Sequence, residues 1–516
     1  MPADSMVEGQ GVIETRAAPT REKPEPALRD PGPDELRAKT LRGGANTLVG
    51  QVAKLGLTLA STALLSRLLT PEDFGVFGMV MVVIGFLVAV GDLGLGVTIL
   101  QRKMLSDRDI DRLFWVGLGL QVALAAATAL AAPWIGHVFG VAALVEITVV
   151  MALGFVITGL GMVHLALLRR AMRFGTAALI EVAALCGGLV LGLGGALLGF
   201  GAWSLVALYL GQRTIETSLA WAASTYRPRL PKRSRDDSEG PGLFGVGGFH
   251  SAFSFCNYFA RNGDNMLIGW FWGAGALGLY SRAYGLLMLP LVQLNVPISS
   301  VSLPALSKLQ DEPARFRRVY LRALSLLAYL GLPLVTFTIL AAEEIILVMI
   351  GPQWVEVVPL FRALGVVGLF QLVTNTGGLL FVATGRTDRM LSVGLWGTTA
   401  TLVTFVVALP HGTHAMALAY ASYSGLVALP TLYVATRGTA VSLRDIGRTL
   451  ARPAAAACLV ACALLAVAPA IAHLDVRLRL TLLSLLAGLA WLASLRLLAA
   501  EASPLKLFAE LRRRDS

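Results

Sequence analysis

The sequence predicts an all-α protein that crosses a membrane about fourteen times, with the first twelve crossings arranged as two like halves. Three observations carry this. Apolar residues make up 56 % of the 516 and charged residues only 15 %, with a mean hydropathy of +0.70, far from the composition of a soluble domain. About fourteen segments approach the roughly 20 apolar residues that a crossing helix needs. A polar stripe, a glycine turn and a following helix in the middle of the chain have counterparts 203 residues earlier.

In chain order, residues 1–42 are rich in Pro, Glu, Arg and Ala without an apolar core and read as a disordered cytoplasmic tail. Six spans follow at about 44–69, 74–99, 111–132, 141–168, 174–198 and 200–223, forming a first bundle over 43–225. A charged, proline-containing stretch, 226–242, reads as a cytoplasmic linker. A second bundle over 243–436 holds spans at about 243–271, 276–301, 316–341, 355–383, 388–409 and 413–435. An additional pair at about 452–474 and 478–499 occupies 437–500, and 501–516 forms a basic cytoplasmic tail.

Alternate loops test this count. One set carries Arg102, Lys103, Arg108 and Arg112; Arg169, Arg170 and Arg173; Lys308, Arg315, Arg317 and Arg318; Arg386 and Arg389; and Arg437, Arg444, Arg448 and Arg452. The other carries Glu72, Asp73, Glu343 and Glu344. An excess of Lys and Arg marks the cytoplasmic side, so both termini are expected inside. Arg477 and Arg479, between the last two spans, are the exception.

The polar stripe consists of His250, Ser254, Asn257, Arg261 and Asp264, spaced by fours and threes and so on one helix face. Its counterparts are Thr47, Gln51, Lys54, Thr58 and Ser61. The turn Leu277-Gly278-Leu279-Tyr280 corresponds to Phe74-Gly75-Val76-Phe77, and Asn295 to Asp92. Charge inside hydrocarbon costs at least a few kcal/mol, so such residues face a hydrated pathway or one another. An internal duplication places a substrate site near the midplane between the repeats.

Lys54, roughly 15 Å into its span, is too deep to snorkel easily. Lys54, Arg261 and Arg282 are therefore candidates for an anionic cargo, with Gln51, Asn257, Asn265, Gln293 and Asn295 lining the cavity. Arg261 and Asp264, three apart, also suit a local ion pair, and Arg282 and Arg67 lie near enough to a helix end to meet headgroups. Asp92, Asp264 and Glu181 are candidates for a coupling H+ or Na+, or for holding helices together. His164 and His250 suit packing, and Trp270, Phe271 and Trp272 an interfacial belt.

Other classes fit less well. The basic residues sit in short loops as an orientation signal, which argues against a nucleic-acid partner. Cys186, Cys256, Cys458 and Cys462 show no metal-ligand spacing, and no cofactor is expected. No glycine-rich loop ends in Lys-Ser or Lys-Thr, so ATP is not used through that motif.

Several motifs carry a family resemblance. They are Leu65-Ser-Arg-Leu-Leu-Thr-Pro-Glu-Asp-Phe-Gly-Val-Phe77, Gly91-Asp-Leu-Gly-Leu-Gly96 and Leu100-Gln-Arg-Lys103, followed by Gly278-Leu-Tyr-Ser-Arg-Ala-Tyr284, Leu303-Pro-Ala-Leu-Ser307, Gly351-Pro-Gln-Trp354 and Ala383-Thr-Gly-Arg-Thr-Asp388. In this order, over roughly 40–450, they resemble the Wzx-type oligosaccharide flippases, the polysaccharide transporters of the MATE/MOP superfamily, most like the branch with the colanic-acid exporter. The resemblance implies two six-helix bundles about a pseudo-twofold axis, plus the additional pair. It implies a bacterial inner-membrane protein, not an enzyme, that flips undecaprenyl-diphosphate-linked oligosaccharide for exopolysaccharide, capsule or O-antigen. Implied partners are that lipid-linked oligosaccharide, membrane lipids, and the polymerase and glycosyltransferases of the same assembly.

Three alternatives stand beside this reading. A MATE-type exporter of cationic drugs would have an acidic, aromatic cavity, whereas the stripe carries Lys and Arg. A membrane enzyme of polysaccharide assembly would be expected to show a large outer loop or a partnered His. A scaffold would leave the matched stripes unexplained.

Overall fold

The computed structural model describes residues 33–91, 106–230 and 243–497; for 33–49, 89–91, 243–257, 260–261 and Thr387 it describes the backbone alone. Every regular element among these is helical. The first half contains α1 (Pro33–Leu68), α2 (Pro71–Gly91), α3 (Asp107–Phe139), α4 (Ala143–Arg170), α5 (Phe174–Leu197) and α6 (Ala202–Ala223). The second contains α7 (Leu243–Lys308), α8 (Pro313–Leu340), the short α9 (Ala342–Met349), α10 (Val357–Ala383), α11 (Thr387–Ala408) and α12 (Thr413–Thr436). The additional pair is α13 (Leu443–Val467) and α14 (Val476–Leu497). α1 begins at Pro33, inside the stretch read from sequence as tail; proline at a first helical position, with Asp34 and Glu35 behind it, suits a helix start.

Local chemistry sets several boundaries. Thr70 and Asp73 exchange side-chain-to-backbone hydrogen bonds at 3.2 and 2.9 Å, a capping box with Pro71 opening α2. Ser106 with Asp109, and Ser442 with Asp445, form the same box at the starts of α3 and α13. Eleven described elements are long and apolar enough to cross a membrane, the α7 run counted once. α1 and α6 carry Gln51 and Lys54, and Gln212, Arg213 and Glu216, within their length and are not among these eleven.

α7 is a hairpin. Gly273 has φ 80° and ψ −174°, a conformation that side-chain-bearing residues rarely adopt. The Tyr280 hydroxyl donates to Asp264 Oδ2 at 3.0 Å, although 16 residues separate them. On a continuous helix that separation would be about 24 Å, so the chain reverses at Gly273 and crosses twice.

Contacts between helix ends sort them into two faces. On one face, Trp354 Nε1 and Gln353 Nε2 donate to the Ser66 carbonyl at 2.7 and 2.8 Å, and the Arg67 guanidinium donates to the Val348 carbonyl. Trp272 Nε1 donates to Leu409 O at 3.0 Å on the same face. Arg479 pairs there with Glu344, which is 4 % exposed. This accounts for the exception in the charge pattern: the misplaced cation is neutralised by a buried carboxylate of α9, and removing either partner strands a charge.

On the opposite face, Arg317 holds Asp445 through both nitrogens, with Nε 2.8 Å from Oδ2. Arg386 donates to the Ala435 carbonyl at 3.0 Å and to that of Arg437, capping the end of α12. The start of the inter-half connection is anchored here too. Tyr226 Oη donates to Asp111 Oδ1 at 2.6 Å and Arg229 N to the same oxygen at 3.0 Å. Burial, and then Asp111, raise the pKa of the Tyr226 phenol, so it remains a donor.

The halves meet where the sequence offset places them. A Cβ on Gly75 would overlap the Ala274 carbonyl oxygen, and one on Gly278 would overlap that of Pro71. Gly75 and Gly278 are related by 203 residues, and so are Pro71 and Ala274. The contact is therefore reciprocal, as a pseudo-twofold interface requires. Deeper along the seam, the Tyr258 hydroxyl donates to the Val82 carbonyl, and Tyr258 and Phe259 pack on Phe86. In lipid, such close backbone approach replaces the hydrophobic drive for helix association.

Gly278→Ala is expected to part this seam. A Leu277→Cys probe, at a position 1 % exposed, should react several-fold faster with a maleimide in the Gly278→Ala background than in the parent, in an otherwise cysteine-free chain. Equal rates would show that the seam absorbs the methyl.

Candidate functional site

Three charged residues of the first bundle converge near the basic face. α1 lies along α5, which brings Lys54 Nζ 3.2 Å from Glu181 Oε2. Arg169, at the last turn of α4, donates to the other carboxylate oxygen at 2.9 Å. Glu181 is thus shared between two cations, one per oxygen. The three surround a cavity of about 250 Å3 that Gln51 and Phe174 also line.

None of the three is sealed away: the side chains are 44 % (Lys54), 47 % (Arg169) and 23 % (Glu181) exposed. Two cations share one carboxylate, which leaves the three charged groups net positive. A planar guanidinium beside an ammonium is a donor set suited to phosphate oxygens.

The structure brings together Gln51, Lys54 and Glu181 of the sequence-predicted set, and adds Arg169. Sequence reading left Arg169 among the loop cations. The run Arg169-Arg170 at a span end was visible, but the turn that aims one of them back at α5 was not.

The other candidates lie elsewhere. Asp264 is buried at 3 % exposure, accepting from the Tyr280 hydroxyl across the hairpin and from Asn265 N at 2.8 Å. It ties the two arms of α7 together. The Oδ1 of Asn265 is buried without a partner. Arg282 stacks on Phe74 with its guanidinium carbon 3.6 Å from the ring centroid, and Phe74 in turn meets Trp354 edge-on at 5.5 Å. This joins α7 to α2 and to the turn before α10, and no contact unites Arg282 with Lys54.

Gln293 and Asn295 are partly buried on the second arm of α7; Asn295 Nδ2 donates to the Leu291 carbonyl of its own helix at 3.2 Å. Asp92 lies outside the described residues, as do the side chains of Thr47, His250, Ser254, Asn257 and Arg261. His164 is fully buried and stacked on Trp221 at 4.4 Å, a packing position. Trp270, Phe271 and Trp272 are all substantially exposed at the acidic face, as an interfacial belt requires.

Comparison with known proteins adds four findings. The model of a family described as polysaccharide biosynthesis protein matches residues 64–359, more than half the chain. The lipopolysaccharide biosynthesis protein WzxC of Escherichia coli (strain K12) is 28 % identical over 355 residues, which span 68 % of this chain and 72 % of that one. Among solved structures, the lipid II flippase MurJ in an inward closed conformation aligns with a TM-score of 0.69 at 14 % identity, over 88 % of this chain and 100 % of that chain. An inward-facing multidrug resistance MATE family transporter of the MOP superfamily aligns at 0.59 and 17 % identity, over 77 % and 95 %. At such identities the likeness is one of fold.

The shared carboxylate has a measurable signature. In a double-mutant thermal-melt cycle, Lys54→Ala and Glu181→Ala should be coupled by roughly 0.5–1 kcal/mol, the range for half-exposed pairs. Additive effects would mean that Glu181 is held by Arg169 alone.

Proposed function

Because the chain belongs to the polysaccharide biosynthesis protein family, we propose that it translocates undecaprenyl-diphosphate-linked oligosaccharide across the bacterial inner membrane by alternating access. The basic face and both termini lie in the cytoplasm under this reading. The relative named as a lipopolysaccharide biosynthesis protein and the fold shared with a lipid II flippase support it.

The observation that carries it is the pocket of Lys54 and Arg169 around Glu181. A lipid diphosphate presents several acceptor oxygens on a compact anion. In the empty state Glu181 satisfies both cations. In the loaded state the diphosphate takes over part of that role, and exchanging one anion for another avoids leaving either cation bare. Arg261, a candidate from sequence alone, is kept in this reading as a further cation for the diphosphate, and the polar residues of α7 as partners for sugar hydroxyls. The prenyl tail stays in lipid. An exporter of organic cations would find the opposite charge at this pocket.

Movement between faces requires the interlocked turns to separate. Pro71–Gly75 and Ala274–Gly278 close the acidic face, so opening outward means parting them while the inner ends of the halves approach.

Two experiments test this. Sealed vesicles holding the purified protein and a fluorescent undecaprenyl-diphosphate oligosaccharide should show labelled lipid reaching a membrane-impermeant reagent. Lys54→Ala and Arg261→Ala should each reduce that rate at least tenfold, about 1.4 kcal/mol or more of lost stabilisation. Absence of flipping alongside proton-coupled efflux of an organic cation would move the protein to the drug-exporter class. Separately, a Cβ on Gly275 would stand 3.7 Å from Glu72 Cγ, within reach of a disulfide. Glu72→Cys with Gly275→Cys, with the native cysteines removed, should stop transport when oxidised and recover it on reduction.

A further inference from the structure

A second cationic cavity lies away from the pocket of the first bundle, where α8 packs against α13. Its volume is about 590 Å3, the larger of the two cavities described here. Arg317, Arg318 and Arg322 line it from α8, and Arg448 and Arg452 from α13. Arg318 and Arg322 stand four apart on α8, and Arg448 and Arg452 four apart on α13, so two basic stripes face one another across a seam. Among the described residues the carboxylate lining it is that of Asp445, which is already engaged by two nitrogens of Arg317 and by the backbone of Ser442.

Arg318, Arg448 and Arg452 have no hydrogen-bond or ion-pair partner among the described residues. The stripes also run inward. Arg452 lies about 14 Å from the start of α13 at 1.5 Å per residue, and Tyr329 about 24 Å from the start of α8. Tyr329 closes the deep end. It is 1 % exposed, its hydroxyl has no partner, and its backbone carbonyl is fixed by Trp491 Nε1 of α14 at 2.9 Å. Arg448 and Arg452 belong to the basic segment that opens the span at about 452–474, where the anion at hand is a headgroup phosphate. An unpartnered phenol at the end of such a cleft is a donor waiting for an acceptor.

We propose that this cleft binds the phosphate headgroup of an anionic lipid from the leaflet on the basic face, with its acyl chains lying along α8 and α13. Lipid is the source that fits: the cleft lies where the additional helix pair meets the second half, between two helices apolar enough to cross a membrane, and the arginines are exposed along it. Basic pockets between helices on the cytoplasmic side hold phosphate-bearing headgroups for the same electrostatic reason. The bound lipid would cross-link α8 to α13 and so fasten the additional pair to the second bundle. None of this depends on what the first bundle transports.

Native mass spectrometry of the full-length protein tests the proposal. Offered phosphatidylglycerol and phosphatidylcholine together, the parent should retain the anionic lipid preferentially. Arg448→Gln with Arg452→Gln should weaken that retention about tenfold, and Tyr329→Phe should weaken it less. Arg108→Gln, on the same face but outside the cleft, should leave it unchanged. Salt should weaken it in the parent, since the attraction is screened within about 10 Å at 0.1 M. Equal retention by parent and Arg448→Gln/Arg452→Gln proteins of the same helical content overturns the proposal. So does binding of inorganic phosphate at the cleft without preference for the anionic lipid.

Discussion

The absence of a side chain at Gly75 and at Gly278 is the constraint on which the assembly of the halves rests. Each lets a helix start press against the carbonyl of the opposite turn, Ala274 in one case and Pro71 in the other. Because the two contacts are related by the repeat, they form together or not at all. Everything around them is aligned by that closure: Arg282 over Phe74, Phe74 against Trp354, and Trp354 on the Ser66 carbonyl. The seam is thin in side-chain terms and rich in backbone contact, which suits a joint that can part and close again without unpacking either bundle.

Most of the paired charges meet a partner distant in the chain, while Arg213 and Glu216, three apart on α6, form a local pair. Glu344 holds Arg479, and Asp445 holds Arg317. Asp264 is bound by a phenol rather than a cation. Glu181 departs from one-to-one pairing by serving both Lys54 and Arg169. The departures from balance are therefore local and cationic, at the α1–α4–α5 pocket and at the α8–α13 cleft. An excess of donors in these two places is the electrostatic feature that the proposed handling of phosphate-bearing lipids calls for.

Four of the motifs that carried the family resemblance are joints. Leu65-Ser-Arg67 receives Gly351-Pro-Gln-Trp354; the Tyr280 of Gly278-Leu-Tyr-Ser-Arg-Ala-Tyr284 fastens Asp264; the Arg386 of Ala383-Thr-Gly-Arg-Thr-Asp388 caps the neighbouring helix. Residues that fix how bundles meet leave a readable trace because turn geometry and close contact admit few substitutes. A hydrated cavity wall leaves less of one, since many polar residues serve there.

The sequence by itself determined the helices, their number, their alternation between faces and the repeat that relates the halves. These follow from apolar segment length, loop charge and a fixed offset, all of which are local or periodic along the chain. It also marked Arg477 and Arg479 as out of place without saying what answers them. Only the tertiary structure decided which charges meet. Lys54 and Glu181 are 127 residues apart and Arg479 and Glu344 are 135 apart, and no spacing rule links residues on different helices. Which face a polar residue turns to a neighbour depends on helix rotation and crossing, and those are settled when the helices pack.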